Sequence, residues 1–190
     1  MSAVLQPAIR PATAREFLSG NEAVARGALD AGVELAAAYP GTPSTEIVET
    51  LATFPGVYAE WSTNEKVALE VALGASMTGR RAITAMKHVG LNVASDSLMT
   101  LGQVGAKAGL VIAVSDDVGF SSSQNEQDSR FWGRFVHLPV LEPSDANEAY
   151  AMTRDAFALS ERFEVPVLLR LTTRISHVKR MAETSAQEAP

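Results

Sequence analysis

The sequence predicts an α/β fold of three layers, in which helices cover both faces of a mostly parallel β-sheet. Short apolar segments of strand length alternate along the chain with longer segments of helical character. Each apolar segment is continuously hydrophobic, as expected of strands that are buried on both faces. The length of 190 residues suits one domain with a single core.

The beginning of the chain predicts an arm followed by helices. Residues 1–12 contain two prolines and are expected to be extended. From Thr13 the pattern predicts a helix. It then restarts as a second helix, with Asn21 as the N-cap and Gly32 as the stop.

The rest of the chain continues the alternation of strands and helices. Strands are predicted at 33–40, 56–61, 80–86, 108–115, 137–143 and 165–173. Helices are predicted at 43–54, 65–78, 93–106 and 144–163. We expect one domain over residues 13–177, followed by a polar tail at 178–190.

Composition excludes several classes of protein. Hydrophobic residues make up 46% of the chain and charged residues 20%, which is ordinary for a globular protein. The net charge of −6 gives no reason to expect nucleic acid as a partner. No apolar run reaches about 18 residues, so no membrane span is predicted. The amino terminus lacks the order of a secretory signal, and we expect a cytoplasmic protein.

The chain contains no cysteine. It therefore predicts no disulfide, no thiolate nucleophile and no cysteine ligands for zinc or an iron–sulfur cluster. The glycine motifs that bind nucleotide phosphates are missing, and so is the nucleophile elbow of hydrolases. We expect no metal site on this chain, and any electron-transfer clusters would lie on another chain.

Polar residues gather where the predicted strands end. The carboxyl ends of parallel strands share one edge of the sheet, and ligands bind there in the strand-to-helix loops. Hydroxyls, amides, one histidine, one lysine and several carboxylates are concentrated in four such segments, at 39–45, 62–65, 87–92 and 116–130. The last segment is long and lacks periodicity, which favours a functional loop. Together these segments predict a ligand site.

Glu65 has two interpretations. The segment from Ser62 to Glu65 fits the capping box, in which the glutamate carboxylate accepts the backbone N–H of the cap residue. Alternatively, apolar residues on several faces of the following helix predict burial, so its first carboxylate would be partly desolvated. Such a carboxyl group can exchange a proton with a bound ligand. Local rules alone favour the cap.

The other candidates also have purely structural interpretations. Gly41 and Gly90 are expected to serve close turns. A single histidine such as His88 is more often a satisfied surface residue than a catalytic one. The turn at 39–45 fits a helix cap as well as a ligand site.

Several long segments resemble one known family. They read "GNEAVARGALDAGVELAAAYPGTPSTEI", "EWSTNEKVALEVALGAS", "MKHVGLNVASD", "SSQNEQDSR", "LPVLEPSDANEA" and "VPVLLRLTTRISH", in this order between Gly20 and His177. They are similar to the amino-terminal domain of the indolepyruvate:ferredoxin oxidoreductase alpha subunit, a thiamine-diphosphate-dependent 2-oxo acid oxidoreductase. The resemblance implies the pyrimidine-binding thiamine fold, which agrees with the parallel sheet.

The resemblance also implies roles at the cofactor. Glu65 matches the glutamate that hydrogen-bonds a nitrogen of the aminopyrimidine ring and so helps the cofactor to lose a proton. Gly90 and Asn92 are implied on the cofactor side. These roles require a carboxyl group that gives and takes a proton in a dry pocket.

On the substrate side the resemblance implies three kinds of group. Thr42 matches a substrate-facing hydroxyl of related oxidoreductases. Lys87 or His88 would pair with the carboxylate of a 2-oxo acid. Gln124 and Asn125 would act as hydrogen-bond donors.

The chain departs from the common form of the family, which also carries a diphosphate-binding thiamine domain with a G-D-G motif and a cysteine-rich region. This sequence contains neither. The resemblance therefore implies that thiamine diphosphate is shared with a partner chain, which would carry the magnesium and the iron–sulfur clusters. The implied reaction is oxidative decarboxylation of an aryl 2-oxo acid such as indolepyruvate, with coenzyme A as acyl acceptor, in a dimer or hetero-oligomer.

Two other functions fit the same residues. Non-oxidative thiamine-dependent 2-oxo acid decarboxylases of two small subunits also divide the thiamine domains between chains. A domain of this fold could also serve assembly or regulation without turnover, although the retained Glu65 argues against that. Cysteine clusters on a neighbouring chain would favour the oxidoreductase.

Overall fold

The computed structural model describes residues 13–185, so the expected arm at 1–12 lies outside the described residues. The strands are β1 (Thr13–Leu18), β2 (Leu35–Ala38), β3 (Tyr58–Trp61), β4 (Ala82–Lys87), β5 (Leu110–Asp116), β6 (Val140–Leu141), β7 (Val167–Thr172) and β8 (Arg180–Ser185). The helices are α1 (Gly20–Asp30), α2 (Thr45–Leu51), α3 (Glu65–Met77), α4 (His88–Val93), α5 (Ser95–Val104), α6 (Arg130–Val136), α7 (Ala146–Phe163) and α8 (Thr173–His177).

Six strands form the central sheet, in the order β3-β2-β4-β5-β7-β6. Every adjacent pair in this sheet is parallel. The carboxyl ends of all six strands therefore lie along one edge. The predicted α/β fold with a mostly parallel sheet is confirmed.

Apolar side chains fill both faces of the central sheet. Along β4, Ile83 and Ala85 pack into a cluster that includes residues of α1, α2 and α7. Ala82 and Met86 pack on the opposite face with residues of α3, α4, α5 and α6. Because successive strand side chains point to opposite faces, a continuously apolar strand fills both clusters. The result is the expected three-layer arrangement.

The two ends of the described chain form a second sheet that the sequence did not predict. β1 and β8 pair antiparallel, with Phe17 opposite Met181. The prediction of a helix from Thr13 is therefore wrong. Arg180–Ser185 of the predicted polar tail form β8, and residues 186–190 lie outside the described residues. The segment of β1 contains good helix formers, but pairing with a distant strand overrides that weak local preference.

The start of α1 also differs from the prediction. Ser19, and not Asn21, is the N-cap, and it forms a capping box with Glu22. The backbone N–H of Glu22 donates to Ser19 Oγ at 3.2 Å, and the Ser19 N–H donates to a Glu22 carboxylate oxygen at 2.7 Å. Asn21 is fully buried and is thereby free to bond a different loop.

Besides the five-residue α8, two further short helices were not predicted. α4 begins directly at His88, within the segment 87–92 that was expected to be a loop. α6 follows the predicted long loop, whose residues 117–129 contain no helix or strand. Both helices are short, with 6 and 7 residues, and so show too few turns for a clear periodicity.

An ion pair at the amino edge of the sheet provides a test of the packing. Arg81 donates to both carboxylate oxygens of Glu161 at 2.7 and 2.8 Å, and the Gly109 N–H donates to Glu161 Oε1 at 3.1 Å. These contacts, led by the hydrogen bond from Arg81, hold the pKa of Glu161 below its ordinary value of 4.5. The pair is 36% and 33% exposed, so solvent weakens it.

We expect Glu161→Gln to lower the free energy of unfolding by about 1 kcal/mol near pH 7. The carboxyl pKa is lower in the folded than in the unfolded protein. The stabilisation is therefore present above the unfolded value and is lost as the pH falls through the folded one. Urea unfolding at neutral and acid pH measures this, with the exposed Glu49→Gln as control. An equal loss at both pH values would contradict the assignment.

Candidate active site

The candidate site lies at the carboxyl edge of the central sheet, between β2 and β4, where the order in which successive strands are added reverses. β3 lies on one side of β2, whereas β4 lies on its other side. The loops that follow β2 and β4 therefore leave in opposite directions and border a crevice, which is where open α/β sheets bind ligands. Of the predicted segments, 39–45 and 87–92 follow these two strands.

Glu65 is the first residue of α3 and is 8% exposed. Asn64 caps this helix, because its side-chain oxygen accepts the Val67 N–H at 3.0 Å. The predicted capping box from Ser62 does not form: Ser62 Oγ instead donates to Glu60 at 3.0 Å. Within residues 13–185 no group donates a hydrogen bond to the Glu65 carboxylate. The helix start is therefore satisfied without this carboxylate.

Gly90 provides the seat for Glu65. A Cβ atom at Gly90 would lie 2.5 Å from Glu65 Oε1 and 2.7 Å from Glu65 Cγ, closer than real contacts allow. A side chain at position 90 would therefore displace the Glu65 carboxyl group from its place against α4. Asn92, on the same helix, is exposed.

Hydrogen bonds from Asn21 and Ser44 hold the loop that carries Thr42. Asn21 donates through its side-chain nitrogen to the Pro43 carbonyl at 2.7 Å and to a Glu46 carboxylate oxygen at 2.7 Å. Ser44 Oγ donates to the Gly41 carbonyl at 2.9 Å. Thr42 itself is exposed. The turn is thus fixed while its threonine faces outward.

Lys87 connects two loops of the edge. Its aliphatic stem passes Gly41, whose added Cβ would lie 3.5 Å from Lys87 Cγ. Its ammonium group donates to the Ser122 carbonyl at 3.0 Å and to Ser123 Oγ at 3.1 Å. Lys87 therefore lies between the loop at 39–44 and the loop at 117–129.

His88 is fully buried, and both of its ring nitrogens have backbone partners. The Asp117 N–H donates to Nδ1 at 3.3 Å, and Nε2 lies 2.9 Å from the Asn125 carbonyl oxygen. Of the two cations that the resemblance implied, only Lys87 remains available to a bound carboxylate. Gln124 and Asn125 lie exposed in the loop that His88 contacts.

Comparison with known proteins identifies the family. Residues 26–189 match the family described as pyruvate flavodoxin/ferredoxin oxidoreductase, thiamine diphosphate-binding. The chain belongs to this family. The indolepyruvate oxidoreductase subunit IorA of Thermococcus kodakarensis is 55% identical over 168 residues, which cover 87% of this chain and 26% of that protein. IorA of Archaeoglobus fulgidus is 51% identical over 174 residues, covering 88% and 28% respectively.

A solved structure has the same fold as this member of the thiamine diphosphate-binding family. The 2-oxoglutarate:ferredoxin oxidoreductase from Magnetococcus marinus, with 2-oxoglutarate, coenzyme A and succinyl-CoA bound, aligns with a TM-score of 0.80 at 25% identity. The match covers 88% of this chain and 31% of that one. The chain thus spans less than a third of the length of these relatives and of this structure.

The sequence missed a charged network beside the site of this family member. Asp116 is fully buried at the end of β5, where Arg170 Nε donates a hydrogen bond to it at 2.9 Å and Arg170 Nη2 forms an ion pair with it at 2.9 Å. The Ser129 N–H donates to the same carboxylate at 3.0 Å. Arg170 also pairs with Glu142. The sequence did contain a sign of this network, because Arg170 is a charged residue inside the apolar strand β7. Burying such a charge without a partner is unfavourable, so an acidic partner is expected.

Asp117 forms the second missed contact. Its carboxylate accepts hydrogen bonds from the Ser122 N–H at 2.7 Å and from Thr173 Oγ1 at 3.1 Å. Burial raises the pKa of Asp117, but hydrogen bonds from Ser122, Ser123 and Thr173 outweigh it and hold the pKa below its ordinary value. Asp117 therefore binds the beginning of the long loop to α8 as a carboxylate.

The described residues contain neither a candidate metal site nor a candidate membrane span. Within residues 13–185, no three histidine, aspartate or glutamate side chains are grouped to hold a metal ion. No helix of the described chain has the length and hydrophobicity needed to cross a membrane.

Two glycine substitutions test the seat of Glu65. Gly90→Ala places a methyl group against the carboxylate, and we expect it to lower the free energy of unfolding by about 1–3 kcal/mol. Gly74→Ala is the matched control, because a Cβ there meets nothing within 4 Å on α3. Alanine at that position should stabilise the helix by about 0.5–1 kcal/mol. Urea unfolding measures both, and stabilisation by both would contradict the contact with Glu65.

Proposed function

We propose that this chain supplies the pyrimidine-binding half of a thiamine-diphosphate-dependent 2-oxo acid:ferredoxin oxidoreductase. The observation that carries the proposal is the placement of Glu65, which is 8% exposed at the carboxyl edge, lies against Gly90 and is not needed by the helix cap that Asn64 supplies. The carboxyl group is therefore available to a bound molecule.

Thiamine diphosphate fits this requirement. Its aminopyrimidine ring has a nitrogen that can share a proton with a carboxyl group, and the bound cofactor supplies the carbon nucleophile for the 2-oxo group. Glu65 would hold that proton between its carboxylate and the ring nitrogen. Gly90 keeps the carboxylate in place from α4. Asn92 would add a polar contact on the same side.

The neighbouring loops would bind the substrate. Lys87 carries the ammonium group between two loops, where it would pair with the carboxylate of the 2-oxo acid. Thr42 presents an exposed hydroxyl on a turn that Asn21 holds. Gln124 and Asn125 would donate from the long loop. Fixing these groups before the substrate binds lowers the entropic cost of the reaction.

The names of the relatives support a substrate class. IorA proteins are named indolepyruvate oxidoreductase subunits, and they share 51–55% of their residues with this chain in the matched region. We therefore propose an aryl 2-oxo acid such as indolepyruvate as the substrate. The neighbouring solved structure contains coenzyme A, which supports coenzyme A as acyl acceptor.

A partner chain would complete the site. α3 carries a half-buried apolar stripe that leads away from Glu65 through Val67 and Val71 to the exposed Gly74. Trp61 and Val93 near the same end are 45% and 50% exposed. This surface supports contact with a chain that brings the diphosphate site, magnesium and iron–sulfur clusters, in a dimer or hetero-oligomer. The cytoplasmic location expected from the sequence is part of the proposal.

Glu65→Gln in the assembled enzyme tests the central role. The amide cannot give and take a proton as a carboxyl group does, so turnover of indolepyruvate should fall by about 10²–10⁴-fold. Stability should change by less than about 0.5 kcal/mol, since Asn64 supplies the cap and a neutral amide is easier to bury. Oxidation of indolepyruvate with coenzyme A and an artificial electron acceptor measures the effect.

The matched control is Glu60→Gln. Glu60 is also a carboxylate near the end of β3, but Tyr58 and Ser62 already donate to it at 2.8 and 3.0 Å. This variant should keep most of the activity. Near-normal turnover in Glu65→Gln would rule out the proposed role.

A further inference from the structure

The loop at 117–129 is fastened to the end of β4 by two adjacent residues of different character. Lys87 reaches its carbonyl and hydroxyl groups from a partly exposed position, whereas His88 contacts it from full burial. We propose that His88 is a positioning residue for substrate binding, which acts by holding this loop in place. The inference rests on the proposed function for its catalytic consequence, but not for its structural part.

The hydrogen bonds of His88 determine its protonation. A backbone N–H can only donate, so the Asp117 N–H at 3.3 Å makes Nδ1 an acceptor. A carbonyl oxygen can only accept, so the Asn125 oxygen at 2.9 Å makes Nε2 the donor. The ring is therefore neutral with its hydrogen on Nε2. The opposite tautomer would lose both hydrogen bonds.

One ring thus bridges two separate points of the loop. Asp117 is its first residue, and Asn125 lies eight residues later along the chain. The base of the loop is closed separately, because Ser129 donates to Asp116 of β5. Between these contacts, Ser122 is tied back to the Asp117 carboxylate at 2.7 Å. His88 fixes the loop to the end of β4 at Asn125, beyond the contacts of Lys87 with Ser122 and Ser123.

The middle of the loop contains the proposed amide donors. His88 holds the backbone of Asn125, and the Gln127 side chain donates to Asn125 Oδ1 at 3.0 Å. Gln124 and Asn125 remain exposed, so their position depends on the backbone that His88 holds. Loss of that contact should affect the binding of the substrate more than the cofactor, which Glu65 contacts from α3.

Lys87 and His88, which both bind the loop at 117–129, would then have different roles. A substrate carboxylate competes with Ser122 and Ser123 for the ammonium group of Lys87. Since His88 is buried and has no solvent-facing nitrogen, its bonds persist when Lys87 changes partner. The loop therefore keeps its place while Lys87 binds the substrate.

Two substitutions separate the contacts of His88. Asparagine places an oxygen acceptor near the position of Nδ1 and loses the donor, so His88→Asn should keep the Asp117 contact. Glutamine places an N–H donor near Nε2, so His88→Gln should keep the Asn125 contact instead. We expect amide hydrogen exchange at Asp117 to accelerate by about tenfold in His88→Gln and to stay near wild type in His88→Asn. The exposed His137→Asn serves as control.

In the assembled enzyme, His88→Asn loses the Asn125 contact and should raise the KM for indolepyruvate by about tenfold, while kcat stays within about threefold of wild type. His88→Gln keeps that contact, and its KM should stay near wild type. The affinity for thiamine diphosphate should not change. A residue that only stabilised the fold would lower thiamine affinity and kcat together. Unchanged KM in His88→Asn would overturn the positioning role.

Long-range proton–nitrogen NMR of the unsubstituted chain gives a test that does not depend on folding of the variants or on catalysis. We expect one of the three histidine rings to be neutral with its hydrogen on Nε2, assigned to His88. A charged ring or a hydrogen on Nδ1 at neutral pH would overturn the inference. Failure of the wild-type complex to bind thiamine would instead contradict the proposed function and leave the NMR result standing.

Discussion

The carboxyl edge of the sheet is arranged around Glu65, which is only 8% exposed, and removing a carboxylate from water is unfavourable. Glu65 begins a helix that Asn64 already caps, so the helix does not need its carboxylate. Gly90 has no side chain, which leaves space for the Glu65 carboxylate beside α4. The partial positive charge at the first turn of α3 offsets part of the cost. The apolar clusters on both faces of the sheet stabilise the fold and offset the rest of this cost.

The loops around Glu65 show the complementary property, since each is tied down by contacts from beneath. Asn21 holds the turn of Thr42, His88 holds the long loop, and Asp116 closes the base of that loop. These contacts are made largely to backbone groups, which fixes the course of each loop and leaves side chains such as Thr42 and Gln124 exposed. A site with rigid loops and exposed polar groups is suited to bind a molecule without first reorganising.

Local sequence pattern was sufficient for the central sheet, because strands buried on both faces show as continuous apolar segments. It failed for β1, whose residues favour a helix until β8 pairs with them from the other end of the chain. The edge that carries the site was predictable from strand direction alone. The tie between His88 and the long loop was not, since its partners lie 29 and 37 residues away. The cap at Glu65 was misassigned because Asn64 and Ser62 are both good N-cap residues.

The junction between β4 and α4 concentrates three of these tasks in four successive positions. Lys87 reaches two loops, His88 anchors one of them, and Gly90 seats the carboxylate of Glu65. Each further residue in a helix turns the following side chains by about 100°. Insertion or deletion of one residue here would therefore misdirect several groups at once. The length of this junction is constrained more strongly than the identity of any one of its side chains.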